Sequence, residues 1–541
     1  MDFKVIESGF LSTEDGKCAQ APNGMVATAF PDATQAGVEM LKQGGNAVDA
    51  AVASAFALSV CEPQSSGLGG QTMMLISVGR KVLAIDGSSR APSLAHVSAI
   101  YKGDRSYGYR ASTVPSTPAT LWYVNRHYGK LPWKQVLEPA IYLAENGYKI
   151  TPLQNRLQNR ELENFEKVPS KSGKRHFLKD GKPYAPAEIF RQPYLAGVLK
   201  RIAEKGVDEF YLGDIARQID ADMRENGGLL RYDDLALIPL PIVRTPLKRK
   251  FRGLTVYSMP PPCAGRSLLF TLMMINSIRP RHLHKDEVNR ALLLVEVFRK
   301  ALLDRSDRAF DPNYYAQVAD RDTLNTKYVR KSILEITRAT HTYMPIRETE
   351  DELSGETTHL SVMDKDGMAV SLTQSIEKPY GSKAAAAGLG FLYNNYLLDY
   401  EYKLLSHPFY LRPNAVPWAT VAPTLIFYGD DIWMAVGSPG SERIFSSIAQ
   451  FLIHVIDEHL PIGEAMLAPR LHCSLGGRVS LEAERFPSEL SELFQQRGYR
   501  IDKREAFSFY LGAIHCVLKK HDGNGFQGAA EIRRDGTAEG Y

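Results

Sequence analysis

The chain has 541 residues, with 65 Lys and Arg against 61 Asp and Glu, and a formal charge of +4 this thinly spread argues against a nucleic-acid footprint. A hydrophobic content of 44% with 23% charged residues fits a water-soluble globular protein with a sizeable core, and length alone suggests roughly three or four units. Cys18, Cys61, Cys263, Cys473 and Cys516 are odd in number and form no Cys-x-x-Cys pair, which disfavours a disulfide framework or a structural zinc site.

The N-terminus lacks a charged-then-apolar leader pattern, and no run of about 18 apolar residues occurs, so the expectation is a cytoplasmic protein without a membrane partner. Residues 24–29 read as a short buried strand, followed by a helix from Asp32 to Gln43 that Gly44-Gly45 ends. Asn46 is placed to cap a second helix, Ala47 to Val60, which is apolar almost all round and therefore expected inside. Ser66-Gly67-Leu68-Gly69-Gly70-Gln71 lacks the Gly-Lys-Ser/Thr ending of a phosphate loop, so its glycines are expected to allow close backbone packing beside strands at 72–78 and 82–85. Residues 113–118 lead into a helical stretch expected to run to Tyr128, further helices are expected at 132–146, 154–167 and 285–308, and a polar approach covers 320–355. The basic run Leu247 to Arg252 reads as a solvated edge strand or loop, and Cys263 as a buried structural thiol. Two alternating runs, His359 to Met363 and Met368 to Gln374, flank Asp364-Lys365-Asp366-Gly367, whose Asp-Gly step suits a tight hairpin. Thr357 and Thr358 then stand at the mouth of a strand.

Thr-Thr-His-Leu-Ser-Val-x-Asp-x-Asp-Gly-x-Ala-Val, from Thr357, resembles the processing site and first hairpin of the γ-glutamyltranspeptidase family, whose members are N-terminal nucleophile hydrolases. Similar segments run from Gly24 to Tyr541, weakest between 150 and 230. The resemblance implies an α+β fold, a four-layer αββα sandwich of two antiparallel sheets flanked by helices, forming one composite domain. It also implies scission between Glu356 and Thr357, giving a large fragment of residues 1–356 and a small one of 357–541 that stay associated. A threonine hydroxyl needs an adjacent base, and a free α-amine, with a pKa of about 7.7 to 8.0, can serve where an amide nitrogen cannot.

By the same resemblance, Ser375 stands where the family has a second hydroxyl bonded to the nucleophile. Gly440 and Ser441, in Gly437-Ser438-Pro439-Gly440-Ser441, match the turn whose N–H groups form the oxyanion hole, each donor being worth about 3 to 4 kcal/mol in hydrolases. Asp399, with Asn395 in the preceding Asn-Asn pair, corresponds to the segment that holds the α-amine of a γ-glutamyl group. Thr420 keeps one of two hydroxyls expected at the α-carboxylate, its neighbour being Ala419. Glu377 replaces an asparagine, which would repel a carboxylate and attract an amine. The family's carboxylate-binding arginine aligns with Ser88, and Arg90, two residues on, is the candidate substitute. His359 shares the face of Thr357 but is expected to be structural. Losing a bidentate arginine costs roughly 1.5 to 3 kcal/mol, so the expected reaction is hydrolysis of a small-molecule amide, γ-glutamyl or related, through a threonyl ester. It needs neither metal nor organic cofactor. A true transferase and an uncut binding protein stand as alternatives.

Overall fold

Residues 3–309, 324–338 and 355–541 are described in the computed structural model. Fourteen strands build two main sheets: β1 (Cys18–Ala21), β2 (Gly24–Thr28), β3 (Gln71–Val78), β4 (Lys81–Gly87), β5 (Ile242–Arg244), β6 (Leu247–Phe251), β7 (Leu254–Ser258), β8 (Glu356–Asp364), β9 (Ala369–Glu377), β10 (Thr424–Tyr428), β11 (Asp431–Gly437), β12 (His515–Lys519), β13 (Phe526–Ala530) and β14 (Thr537–Gly540). The order is β1-β13-β12-β11-β10-β7-β6 in one sheet and β14-β2-β8-β9-β3-β4-β5 in the other, with every pairing antiparallel.

Helices cover both outer faces. On the β8 side lie α1 (Pro31–Lys42), α2 (Ala47–Cys61), α3 (Thr117–Tyr128) and α4 (Trp133–Asn146), which share a core with Leu360, Val362, Val370 and Leu372. On the β11 side lie α5 (Gly265–Asn276), α6 (Glu287–Asp307) and α7 (Arg443–Ile456), packed with Leu425, Ile426 and Met434. The architecture is therefore the expected αββα sandwich, and not the several units that length alone suggested.

The expected helix after Asn46 is α2, all of whose residues are buried; the Asn46 side chain accepts from the Val48 and Asp49 N–H groups, closing a capping box. Such a helix can only form sandwiched, because no polar stripe faces water. Gly70 allows the close approach expected of the glycine-rich stretch, since a Cβ there would lie 2.2 Å from the Ser375 carbonyl oxygen. The basic run is the edge strand β6. Within 320–355, residues 326–338 form a helix, and 320–323 and 339–354 lie outside the described residues. Among the described residues, no helix is long and apolar enough to cross a membrane.

The hairpin β8–β9 is the centre of its sheet. Alternation divides its side chains: Leu360, Val362 and Leu372 join the helix-side core, while His359, Ser361, Ser371 and Thr373 face the other sheet. That inner layer is unusually polar. Ser361 Oγ donates to the His515 carbonyl and Ser371 Oγ to the Val436 carbonyl, both at 3.0 Å, so hydrogen bonds cross from sheet to sheet. They fix how the β8 end meets the β11 end, where the candidate site lies.

Candidate active site

Thr357 is the second residue of β8 and is buried in the intact chain. The ladder register shifts here: Glu356 pairs with Glu377 and Thr358 with Gln374, so Ser375 and Ile376 together oppose Thr357. The extra residue belongs to β9, opposite the Glu356–Thr357 peptide, so ladder pairing is interrupted there. Thr357 Oγ donates to Ser375 Oγ at 3.3 Å, and Ser375 Oγ donates to the Glu356 carbonyl oxygen at 2.8 Å. One chain of hydroxyls thus joins the candidate nucleophile to the carbonyl immediately before it. The Glu377 N–H donates to Ser375 Oγ at 2.9 Å and holds it in place.

The turn after β11 approaches from the other sheet. Gly440 has φ +126° and Ser441 φ +53°, and α7 starts two residues later. Ser441 strains in the left-handed region where the family pattern has glycine. A Cβ on Gly355 would lie 2.9 Å from Ser441 Cβ and 3.2 Å from Glu377 Oε1, so glycine is needed there for the turn to reach the peptide ahead of Thr357. The donors expected at an oxyanion and the expected scission point are therefore neighbours. His359 sits beneath the same turn against Gly437, with Nδ1 2.8 Å from Thr373 Oγ1 and Nε2 3.1 Å from Ser361 Oγ. Burial, then the nearby His515, holds its pKa well below that of an ordinary histidine. It is a neutral structural ring.

Beyond Ser375 the wall turns acidic. Burial, then the charge of Glu377, pushes the Asp399 carboxyl well above the usual range, with Lys378 and Arg305 opposing. Glu377 has φ +79°, and its Oε1 lies 4.0 Å from Lys378 Nζ. Asn395 Oδ1 accepts from the Lys378 N–H and its Nδ2 donates to the Ser106 carbonyl, both at 3.0 Å. With both ends of its amide on main chain, Asn395 braces the Glu377–Lys378 turn beside Asp399. Thr420 is partly exposed in the segment pinned by Trp418 N–H to the Asp399 carbonyl at 3.2 Å.

Arg90 is bridged through its backbone to Val114 and lies near Tyr400, whereas Ser88 is turned away onto Asp86. The arginine that acts on Asp399 is Arg305, at the end of α6, which sequence reasoning missed. Arg305 Nη2 donates to the Ala419 carbonyl at 2.9 Å and its guanidinium stacks 4.7 Å over Trp418, close to Glu442, Asp399 and Glu377. Arg534 and Glu62 were missed too, and they meet behind Thr357 on the helix side of the sheet. No local pattern marks these three. Cys263 is buried with its thiol pushed well above the ordinary range, as expected of a structural cysteine.

A hydroxyl at the start of a central strand, a second hydroxyl beside it and a glycine-bearing main-chain turn opposite, all in an αββα sandwich, define an N-terminal nucleophile hydrolase. The sequence model of Gamma-glutamyltranspeptidase matches residues 33–541, and the chain belongs to that family. It is 33% identical to the glutathione hydrolase proenzyme of Escherichia coli (strain K12), over 96% of this chain and 92% of that protein. It is 31% identical to the acylase ACY 1 proenzyme of Pseudomonas sp. (strain SE83), over 97% and 95%. Among solved structures, the cephalosporin acylase from Bacillus halodurans superposes with a TM-score of 0.89 at 28% identity, covering 98% of both chains. The protein is accordingly an enzyme of the γ-glutamyltranspeptidase family with the N-terminal nucleophile hydrolase fold.

Proposed function

We propose that the chain cuts itself between Glu356 and Thr357 and then hydrolyses small-molecule amides whose acyl group carries an amine. Thr357 Oγ attacks the Glu356 carbonyl carbon, its proton passes to the leaving amide nitrogen, and the peptide becomes an ester. Water then cleaves the ester, giving Glu356 a carboxylate and Thr357 a free α-amine. In each later cycle that amine takes the hydroxyl proton as Thr357 attacks the substrate carbonyl and returns it to the departing amine, and water then cleaves the acyl ester, releasing the acid and restoring the Thr357 hydroxyl. The Gly440 and Ser441 N–H groups receive the oxyanion, and Ser375 orients the nucleophile.

The observation that carries the proposal is the hydroxyl chain from Thr357 through Ser375 to the Glu356 carbonyl, at 3.3 and 2.8 Å, beside the Gly440–Ser441 turn. The amine preference rests on Glu377 and Asp399, two carboxylates close enough for one to hold the other's proton until a cation arrives. Thr420 and Arg90 are assigned to the remaining polar edge of the acyl group. With Ser88 at the usual arginine position, hydrolysis is favoured over transfer to a peptide acceptor. A cytoplasmic location goes with this proposal, since the five cysteines are all thiols.

Denaturing electrophoresis with the mass of the small fragment tests the cut: a fragment of residues 357–541 is expected, and none from Thr357→Ala. A γ-glutamyl anilide assay with and without glycylglycine tests the reaction. Turnover raised strongly by the dipeptide would sink the preference for hydrolysis.

A further inference from the structure

Behind the scissile peptide, on the face away from Ser375 and Ser441, one guanidinium touches both sides of the bond. Arg534 Nη2 lies 3.0 Å from Glu356 Oε2, and Arg534 Nη1 donates to the Thr357 carbonyl oxygen at 3.3 Å. Glu62, following α2, backs it at 3.8 Å, with its carboxyl pushed up to about 8 by burial against the pull of Arg534. All three side chains are buried. The ladder cannot fix the backbone at this point, because the β8–β9 register breaks between Glu356 and Thr358. A side-chain contact on the residue before the bond and a main-chain contact on the residue after it replace the missing ladder geometry.

We infer that Arg534 is a positioning residue for self-cleavage and that the side chain of Glu356 is its recognition element, given the scission ahead of Thr357 proposed above. The clamp holds the Glu356 carbonyl against Thr357 Oγ from the rear, leaving the front face to the attacking hydroxyl and the oxyanion donors. Intramolecular attack is steeply sensitive to such placement, a misplacement of about 1 Å costing roughly a hundredfold. Arg534 also forms part of the wall of a cavity of about 610 Å³, together with Lys17, Tyr148, Thr151 and Asp535. Because Arg534 lines that cavity, shortening its side chain is expected to open space for a small solute beside the clamp.

The test follows conversion of freshly made precursor to fragments. Glu356→Gln, a change of one atom's chemistry, is expected to slow cutting roughly ten- to a hundredfold, and Arg534→Ala to leave the precursor whole. Methylguanidinium, admitted through the cavity, is expected to restore cutting of Arg534→Ala with a saturable dose dependence, which a loss of fold would not permit. Cutting of Glu356→Gln and Arg534→Ala at the wild-type rate, with Thr357→Ala intact, overturns the clamp and leaves the cut site standing. Failure of methylguanidinium to rescue Arg534→Ala, with Glu356→Gln cutting at the wild-type rate, overturns it also. Cutting of Thr357→Ala at the same bond refutes the proposed nucleophile and the clamp with it.

Discussion

Ser375 is a single hydroxyl that accepts from Thr357 and from the Glu377 N–H and donates to the Glu356 carbonyl. Removing it leaves that buried carbonyl without its side-chain donor, a loss of about 1 to 3 kcal/mol. Ser375→Ala is therefore expected to slow self-cleavage roughly ten- to a hundredfold, measured as the half-time of precursor loss, while Ser375→Thr retains most of the rate. The acidic wall makes a different prediction. Asp399 must be ionised to hold an amine, and burial together with the Glu377 charge raises its pKa. Amide turnover should therefore fall on acidification at a pH above the ordinary carboxylate range. Glu377→Gln removes one raising influence, so the pH at which an amine-bearing competitive inhibitor loses affinity should move lower. That readout is separate from the acid limb that the Thr357 amine sets on turnover. No shift, or an upward one, would detach Glu377 from Asp399. Arg305 opposes the same shift from α6, and no sequence spacing advertised it, because the end of one helix and the strand of another segment meet only after folding.

At the scale of elements, the β8–β9 hairpin was legible because alternation and an Asp-Gly turn are local signals, and α2 was legible because Asn46 caps an unbroken apolar run. The bulge at Thr357 was not, since it depends on how Ser375 and Ile376 are accommodated opposite a single residue. The approach of the turn at Gly440–Ser441 was likewise invisible, although each motif was recognised separately. Their contact suggests a test of the junction. Gly355→Ala places a methyl 2.9 Å from Ser441 Cβ, within a distance that real Cβ atoms avoid, and the flanking groups are a strained turn and a strand end. The turn must retreat, and with it the proposed oxyanion donors, so the Gly355→Ala precursor is expected to cut more slowly than wild type in a timed gel assay. Once cut, Gly355 belongs to a loosened end, so amide turnover per cut molecule should recover far more than the cutting rate.

For the molecule as a whole, the proposed cut falls within a fold whose two parts are threaded through each other. In the sheet containing Thr357, β2 of the large fragment lies between β14 and β8 of the small one, and β9 of the small fragment pairs with β3 of the large. In the facing sheet, β1 is bonded to β13 at one side and β10 to β7 at the other. Helix α2 of the large fragment packs onto the hairpin of the small one. The family resemblance predicted a composite domain, yet this interleaving could not be read from residues, because strand order is a property of pairings between distant segments. Its consequence is mechanical: releasing either fragment would open ladders in both sheets and expose the helix-side core, so scission of one peptide leaves the cooperative unit intact. The cut protein is expected to elute from a sizing column as one species at the volume of the uncut Thr357→Ala chain, and to separate into fragments only in denaturant. Separation of fragments 1–356 and 357–541 in native buffer would show that the sheets do not hold across the cut.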